Sequence, residues 1–173
     1  IPEDVARAVF DEMSSFASYA FNKSHAAAYA TVSYQTAYLK CFYPREYMAA
    51  LLTSVLDGGN KLVGYIAECE RLGIRVLPPS VNESGVGFTT EGERDIRFGL
   101  LAVKNLGRGF IEELICQREA EGPFRSFYSL CRRLSSCRDF NRRGLESLIK
   151  CGALDGLADN RNQMLLSMET VLD

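Results

Sequence analysis

Hydrophobic residues in the first part of the chain recur at three- and four-residue intervals, the spacing of helices that have one apolar face. Pro44 divides this part, because proline disfavours helix in the residue before it and can itself begin a helix. Gly58, Gly59 and Gly73 provide further breaks. The pattern therefore predicts four helices, over residues 3–20, 24–43, 44–56 and 60–72.

The spacing of the hydrophobic residues changes after Gly73. Residues 74–77 are typical of a short strand, and residues 87–90 and 95–98 of a β-hairpin. The predicted fold class is mainly α, with two helical subdomains joined by a small antiparallel β element. Helical spacing returns after Gly99 and predicts short helices near residues 100–105, 109–121, 126–134, 141–150 and 160–171.

Composition narrows the class of protein. A hydrophobic fraction of 47% and a charged fraction of 24% are those of an ordinary soluble globular protein, and no apolar run is long enough to cross a bilayer. The chain begins Ile1-Pro2-Glu3 without an initiator methionine, so we expect a piece of a longer polypeptide. We expect no membrane partner.

Charge is distributed unevenly along the chain. The net charge is −2, yet residues 101–150 carry ten lysines and arginines against six acidic residues. A locally basic segment of this kind is typical of a surface that contacts phosphates, and a solvated helix face explains it equally well. Charge alone leaves both interpretations open.

The six cysteines are widely spaced, without a Cys-x-x-Cys pair, and His25 is the only histidine. This spacing is poor for a zinc site and favours reduced, structural thiols. Reduced thiols point to a cytoplasmic protein. No paired carboxylates, nucleophile–base pair or phosphate-binding loop of the Walker type is present, so the sequence predicts neither catalytic residues nor a cofactor in this chain.

The clearest local motif lies in residues 100–115, which have the pattern of a helix-hairpin-helix unit with the hairpin Leu106-Gly107-Arg108-Gly109. Glycines allow the backbone to turn tightly and to approach a phosphate without a Cβ in the way. The helix that follows presents its N–H groups and the positive end of its dipole to that phosphate. Lys104 and Arg108 can add charge, and the alternative is a tight turn between packed helices.

A second unit of this kind spans residues 141–155, where a helix is followed by the turn Gly152-Ala153-Leu154-Asp155. This turn departs from the Gly-x-Gly form, so a structural pseudo-repeat is the preferred interpretation. Arg142 and Arg143 at the start of its helix are additional candidates for DNA contact.

The other candidate site is in the first part of the chain, in the run Asn22-Lys23-Ser24-His25. Asn22 or Ser24 can cap the helix that follows. Lys23 and His25 then lie in its first turn, where a cation opposes the helix dipole, an arrangement that suggests a bound anion. The alternative is a capped helix with a hydrogen-bonded histidine.

Five collinear strings of the sequence resemble the C-family of bacterial replicative DNA polymerases, the alpha subunits of DNA polymerase III. They cover essentially the whole chain: FNKSHAAAYATVSYQTAYLKCFYPREYMAALLTS, YIAECERLGIRVLPPSVNES, IRFGLLAVKNLGRGFIEELICQRE, GPFRSFYSLCRRL and NRRGLESLIKCGALDGL. The resemblance implies outer fingers helices in residues 1–80, a β-hairpin connector in 81–99, a tandem helix-hairpin-helix DNA-binding region in 100–156 and a trailing helix in 157–173.

The resemblance also implies a function. Lys23, Ser24 and His25 would contact the incoming deoxynucleotide or the template, and the Gly107–Gly109 hairpin would hold duplex DNA without reading its sequence. The sliding clamp and other replicase subunits would bind through the parent protein. The Mg²⁺ ions of the polymerase belong to a palm domain absent from these residues, so we expect this piece alone to be inactive. The alternatives are a non-enzymatic helix-hairpin-helix module of a repair or recombination protein, and a helical interaction scaffold.

Overall fold

The computed structural model describes residues 1–19, 23–56 and 59–172, and the chain divides into two compact units, residues 1–42 and 43–173. The predicted mainly α class is confirmed. The helices are α1 (Glu3–Tyr19), α2 (Lys23–Phe42), α3 (Pro44–Ser54), α4 (Gly59–Arg71), α5 (Arg108–Glu121), α6 (Phe127–Leu134), α7 (Arg142–Lys150) and α8 (Arg161–Leu172).

The first unit consists of α1 and α2. The apolar stripe that predicts α1 is exposed, and Phe10, Met13 and Phe16 are each more than 60% accessible. No described residue of α2 is buried either, and Tyr34, Tyr38 and Phe42 form an exposed ladder of neighbouring rings. The hydrophobic spacing therefore predicts these helices correctly, although their apolar faces are not buried within the described residues.

The second unit contains a three-stranded sheet of order β1-β3-β2, formed by β1 (Arg75–Leu77), β2 (Thr89–Glu91) and β3 (Asp95–Arg97). The predicted hairpin is confirmed, because β2 and β3 are antiparallel. β1 pairs with β3 in parallel, so the complete sheet is mixed rather than antiparallel.

Helices α3 and α4 pack beside this sheet around a core that includes Met48, Leu52 and Ile96, all fully buried. The Thr53 Oγ1 accepts a hydrogen bond of 2.9 Å from the Phe88 N–H, which attaches α3 to the segment before β2. Gly87 and Gly99 are in close backbone contact, so a Cβ at Gly99 would collide with Gly87. Glycine is therefore required at this crossing.

Arg97 is the one buried charged residue among the described ones, and its neighbours satisfy it. It donates two hydrogen bonds to Glu91, at 2.7 and 2.5 Å, and one of 2.9 Å to the Pro78 carbonyl. A salt bridge of 2.7 Å joins it to Glu83. The hydrogen bonds from Arg97 hold the pKa of Glu91 below its usual range. The contacts with Pro78 and Glu83 attach the segment before β2 to the sheet.

A second hydrophobic core lies within α5 to α8. Phe124 and the leucines of α6 and α7 occupy its centre, and Met164 and Met168 of α8 are buried in it as well. Cys131 belongs to this core and Cys69 to the core beside the sheet. Burial raises the pKa of Cys69 to about 11 and that of Cys131 to about 12, so both are neutral thiols that pack as small apolar side chains.

The predicted domain boundaries at residues 80, 99 and 156 stay a prediction. Of the expected breaks between α3 and α4, residues 57 and 58 lie outside the described residues. No helix in the part of the chain that the structure describes is long and apolar enough to cross a membrane.

Candidate nucleic-acid interface

The first hairpin, residues 103–107, connects a 3-10 turn at Leu100–Ala102 to α5. Its sharp reversal is at Asn105, whose φ of 63° lies in the left-handed region. Gly107 is instead extended, with φ −84° and ψ 151°, and Gly109 lies in the first turn of α5 without a positive φ. The expectation that the two glycines make the turn is therefore corrected, because an asparagine, which tolerates this conformation, makes it.

Gly107 leaves open space in front of α5. A Cβ built on this residue meets no described atom within 4 Å, and Gly107 is exposed. Neither packing nor backbone conformation therefore explains a glycine here. The space remains available to a group that approaches from outside the chain.

The start of α5 also differs from those of the following helices. Its N-cap is Gly107, which has no side chain to cap it, and no other side chain among the described residues accepts a hydrogen bond from its first N–H groups. By contrast, Ser126 caps α6, Asn141 caps α7, and the Asn160 Oδ1 accepts from the Gln163 N–H at the start of α8. Helix α5 thus presents uncapped N–H groups and a positive dipole end at the surface.

The first hairpin packs against α7. Asn105 donates a hydrogen bond of 3.0 Å to the Ser147 hydroxyl. A Cβ on Gly144 would lie only 3.2 Å from the Asn105 carbonyl and 3.2 Å from the Leu106 side chain, so glycine permits this close approach. The structure therefore places Asn105 and Leu106 of the first hairpin directly beside α7.

The basic residues of this unit are only partly available to a ligand. Half of the ten in residues 101–150 are engaged, in ion pairs with glutamates or in hydrogen bonds to backbone carbonyls. The engaged cations are Arg108, Arg118, Arg133, Arg142 and Lys150; the exposed ones without an ion pair among the described residues are Lys104, Arg125, Arg132, Arg138 and Arg143.

Two of the engaged arginines belong to the predicted DNA-binding set. Arg142 lies 2.9 Å from Glu169 of α8, and Arg108 lies 3.8 Å from Glu112. Both pairs are well exposed, so each contributes little to stability and can exchange for another anion.

In the second hairpin, residues 151–157, side chains of the protein itself occupy the space next to the glycine. Gly152 has φ 84°, and the Arg161 guanidinium lies where a Cβ of Gly152 would be. Arg161 donates two hydrogen bonds to Asp155, of 2.8 and 2.6 Å, and one of 3.2 Å to the Lys150 carbonyl. The pKa of Asp155 is therefore lowered, chiefly by the hydrogen bonds from Arg161. A cation and an anion of the chain itself occupy this turn.

The other predicted site lies in the first unit. Lys23, Ser24 and His25 form the first turn of α2, and all three are exposed. The His25 ring contacts that of Tyr29 one turn later, with centroids 4.4 Å apart. No acidic residue is present in this turn to balance the lysine. Asn22, the other predicted cap, lies outside the described residues.

Sequence reasoning missed two residues at this interface. Asn105 makes the turn, and its signal was available, since asparagine is enriched among residues with positive φ. Asp139 approaches the start of α5, with its Oδ2 atom 3.3 Å from the position of a Cβ on Gly109. Asp139 and Gly109 are thirty residues apart in the sequence, and no local pattern indicates that they are in contact. Among the described residues, no group of three or more His, Cys, Asp or Glu could hold a metal ion.

Two comparisons with known proteins agree with this architecture. The model of a family described as a helix-hairpin-helix motif matches residues 73–164, which include both hairpins. DNA polymerase III subunit alpha of Thermus aquaticus is 48% identical over 172 residues, which is 99% of this chain and 14% of that protein. The corresponding subunit of Escherichia coli strain K12 is 42% identical over 99% of this chain and 15% of its own length.

The subunit alpha of Mycobacterium tuberculosis strain H37Rv is 48% identical over 96% of this chain and 14% of its own length. The chain thus spans about a seventh of the curated relatives it matches. These matches also cover the first 72 residues, which lie outside the match to the helix-hairpin-helix family. The resemblance stated from the five strings is confirmed.

Proposed function

Because the chain belongs to the helix-hairpin-helix family, we propose that the first hairpin and the start of α5 bind a phosphate of duplex DNA. The observation that carries the proposal is the uncapped start of α5 at the exposed Gly107, with Lys104 and Arg108 beside it. N–H groups at a helix start attract anions, and a glycine lets a phosphate come close to the backbone. Arg142 and Arg143 extend the basic surface from the start of α7.

Contacts of this kind fix the position of DNA without reading its sequence. With few phosphates engaged, binding should be weak, with a Kd of roughly 10⁻⁴ to 10⁻⁶ M at physiological salt. We assign this role to the first hairpin alone, since the Arg161–Asp155 pair fills the second.

A fluorescence-anisotropy titration of the 173-residue chain with two duplexes of unrelated sequence tests the proposal. Performed at about 50 and 200 mM salt, it should give similar affinities for the two duplexes and weaker binding at the higher salt. Binding that is independent of salt, or that strongly prefers one sequence, would contradict it.

We further propose that the chain is part of a bacterial replicative DNA-directed DNA polymerase. Its relatives are named DNA polymerase III subunit alpha and match nearly all of this chain. The chain spans only about 14% of them, so polymerase activity is a property of the complete protein. Mg²⁺ would be bound by carboxylates outside these residues, the sliding clamp and other replicase subunits would bind through the parent protein, and the setting would be cytoplasmic.

Within that protein, the first unit would act as part of the fingers. Lys23, Ser24 and His25 would contact the triphosphate of the incoming nucleotide or the template, because an exposed cation lies at the positive end of α2. A cation in this position is unfavourable until an anion joins it. Nucleotide phosphate would supply that anion.

Steady-state kinetics of the complete polymerase tests this role. Lys23→Ala should raise the KM for nucleotide or lower kcat. Lys61→Ala serves as the matched control, since Lys61 is another exposed lysine near a helix start. Equal kinetics of the two variants would leave the run at residues 22–25 as a plain helix start.

A further inference from the structure

We propose that the carboxylate of Asp139 competes with DNA phosphate at the start of α5, so that this one charge limits the affinity of the first hairpin for DNA. The inference rests on the proposed function and adds a residue that sets the strength of binding. It requires the carboxylate to be near the phosphate position, to be held there by the fold, and to be accessible.

The contact with α5 establishes the first requirement. Gly109 is the second residue of α5, and a Cβ built on it would lie 3.3 Å from the Asp139 Oδ2. The carboxylate therefore lies against the first turn of α5, whose first N–H groups are not capped by any side chain that the structure describes. It is the acidic group that the structure places in contact with Gly109.

The fold holds the backbone of Asp139 in this place. Its carbonyl accepts a hydrogen bond of 2.8 Å from the Asn141 side chain, whose Oδ1 accepts from the Gly144 N–H at the start of α7. The Phe140 ring stacks on that of Phe110 in α5, with centroids 6.1 Å apart. The segment before α7 is thus attached to both helices, while the Asp139 side chain remains exposed.

Electrostatics makes the carboxylate a competitor. A negative charge is favourable at the positive end of a helix, and Asp139 gains from the same N–H groups and dipole that a phosphate would use. A phosphate that enters must displace the carboxylate or bind close to a like charge, and either requirement weakens binding. Arg138, the preceding residue and also exposed, offsets this repulsion without removing it.

The test is the DNA affinity of Asp139→Asn, which removes the charge and keeps the shape of the side chain. We expect duplex DNA to bind about two- to fivefold more tightly, the scale of one exposed charge interaction. Glu119→Gln is the matched control. Glu119 is exposed on α5, ten residues after Gly109 and therefore about 15 Å from it along the helix axis. That distance exceeds the screening length of about 8 Å at physiological salt, so this variant should bind as the wild type does.

A double-mutant cycle identifies where the charge acts. In the background of Gly107→Ala, which obstructs the phosphate position, the gain from Asp139→Asn should disappear. Affinity of Asp139→Asn no higher than that of Glu119→Gln would overturn the inference, and so would a gain that persists in the Gly107→Ala background. Either of these results would leave the proposed DNA binding intact, provided that wild-type binding is salt-dependent and that Gly107→Ala weakens it. If neither the wild type nor Asp139→Asn binds duplex DNA at about 50 mM salt, both proposals fail.

Discussion

Both hairpins of the second unit contain a glycine, but they differ in what occupies the space next to it. The first, at residues 103–107, leads into a helix whose start is uncapped and faces open space at Gly107. The second, at residues 151–157, is closed by Arg161, which lies on Gly152 and pairs with Asp155. A glycine in a turn can therefore serve an approaching ligand or the chain itself, and its surroundings distinguish the two uses.

Conformation separates the two glycines as well. Gly152 has φ 84°, a backbone conformation that side chains with a Cβ rarely adopt, so the fold requires it. Gly107 is extended, a conformation open to any residue. The fold therefore requires glycine at position 152, whereas glycine at position 107 is required only by the proposed DNA binding.

The largest expected effect is on stability, from Gly152→Ala. Its Cβ would displace the Arg161 guanidinium, and the positive φ costs a non-glycine residue about 1–2 kcal/mol by itself. Thermal or urea unfolding should show a loss of at least that size. DNA affinity of the folded variant should be unchanged, and a loss of binding equal to that of a Gly107 variant would erase the distinction between the hairpins.

Gly107→Ser should raise the stability of the protein while lowering its affinity for DNA. Serine at this extended N-cap position can accept a hydrogen bond from the first turn of α5 and should stabilise the protein by a few tenths of a kcal/mol. The same hydroxyl occupies the phosphate position, so DNA affinity should fall by about tenfold, the scale of one hydrogen bond to a charged group. Anisotropy and unfolding on one preparation measure both; a stabilised variant with wild-type affinity would contradict the account.

Lys104→Ala should have a smaller effect, on the salt dependence of binding. If Lys104 meets one phosphate, the slope of log K against log salt should become shallower by about 0.9. Arg132→Ala is the control, since Arg132 is exposed on α6 and makes no ion pair among the described residues. Equal slopes for the two variants would show that the charge at the hairpin has no special role.

The smallest effect concerns pH and the second hairpin. Hydrogen bonds from Arg161 lower the pKa of Asp155 in the folded state. The resulting stability is present above the unfolded pKa, about 3.9, and is lost as pH falls through the lower folded value. Arg161→Ala should therefore lose less stability between about pH 6 and pH 3 than the wild type does. Identical pH profiles in thermal unfolding would show that the pair does not hold this turn.

Local signals in the sequence predicted most of the elements. Pro44 and Gly73 marked helix ends that the structure reproduces within two residues, and the strand-like residues 87–90 and 95–98 predicted the hairpin. The parallel pairing of β1 with β3 could not be predicted in this way, because it joins residues twenty apart in the sequence through tertiary contacts. The hydrophobic stripe of α1 likewise predicted a helix without indicating what its apolar face contacts.

At the candidate site, the residue types were easier to predict than their roles. Sequence pattern selected Gly107 and Gly109, and the hairpin does lead into an uncapped helix. Their assumed role in turning the chain belongs to Asn105, a residue type that tolerates a positive φ but that the Gly-x-Gly pattern does not include. The contacts of Asp139 and Gly144 arise only when α7 packs against the hairpin, so a single sequence carries no sign of them.

Phosphate binding at the first hairpin alone can be tested by titrating the ¹⁵N-labelled chain with duplex DNA and following the backbone amide resonances. The amide resonances of Arg108, Gly109 and Phe110 should shift as DNA is added, because phosphate binds the start of α5. The amides of residues 152–157 should remain in place, since the Arg161–Asp155 pair occupies that turn. Equal shifts at the two hairpins, or shifts at the second alone, would show that phosphate does not bind selectively at the start of α5.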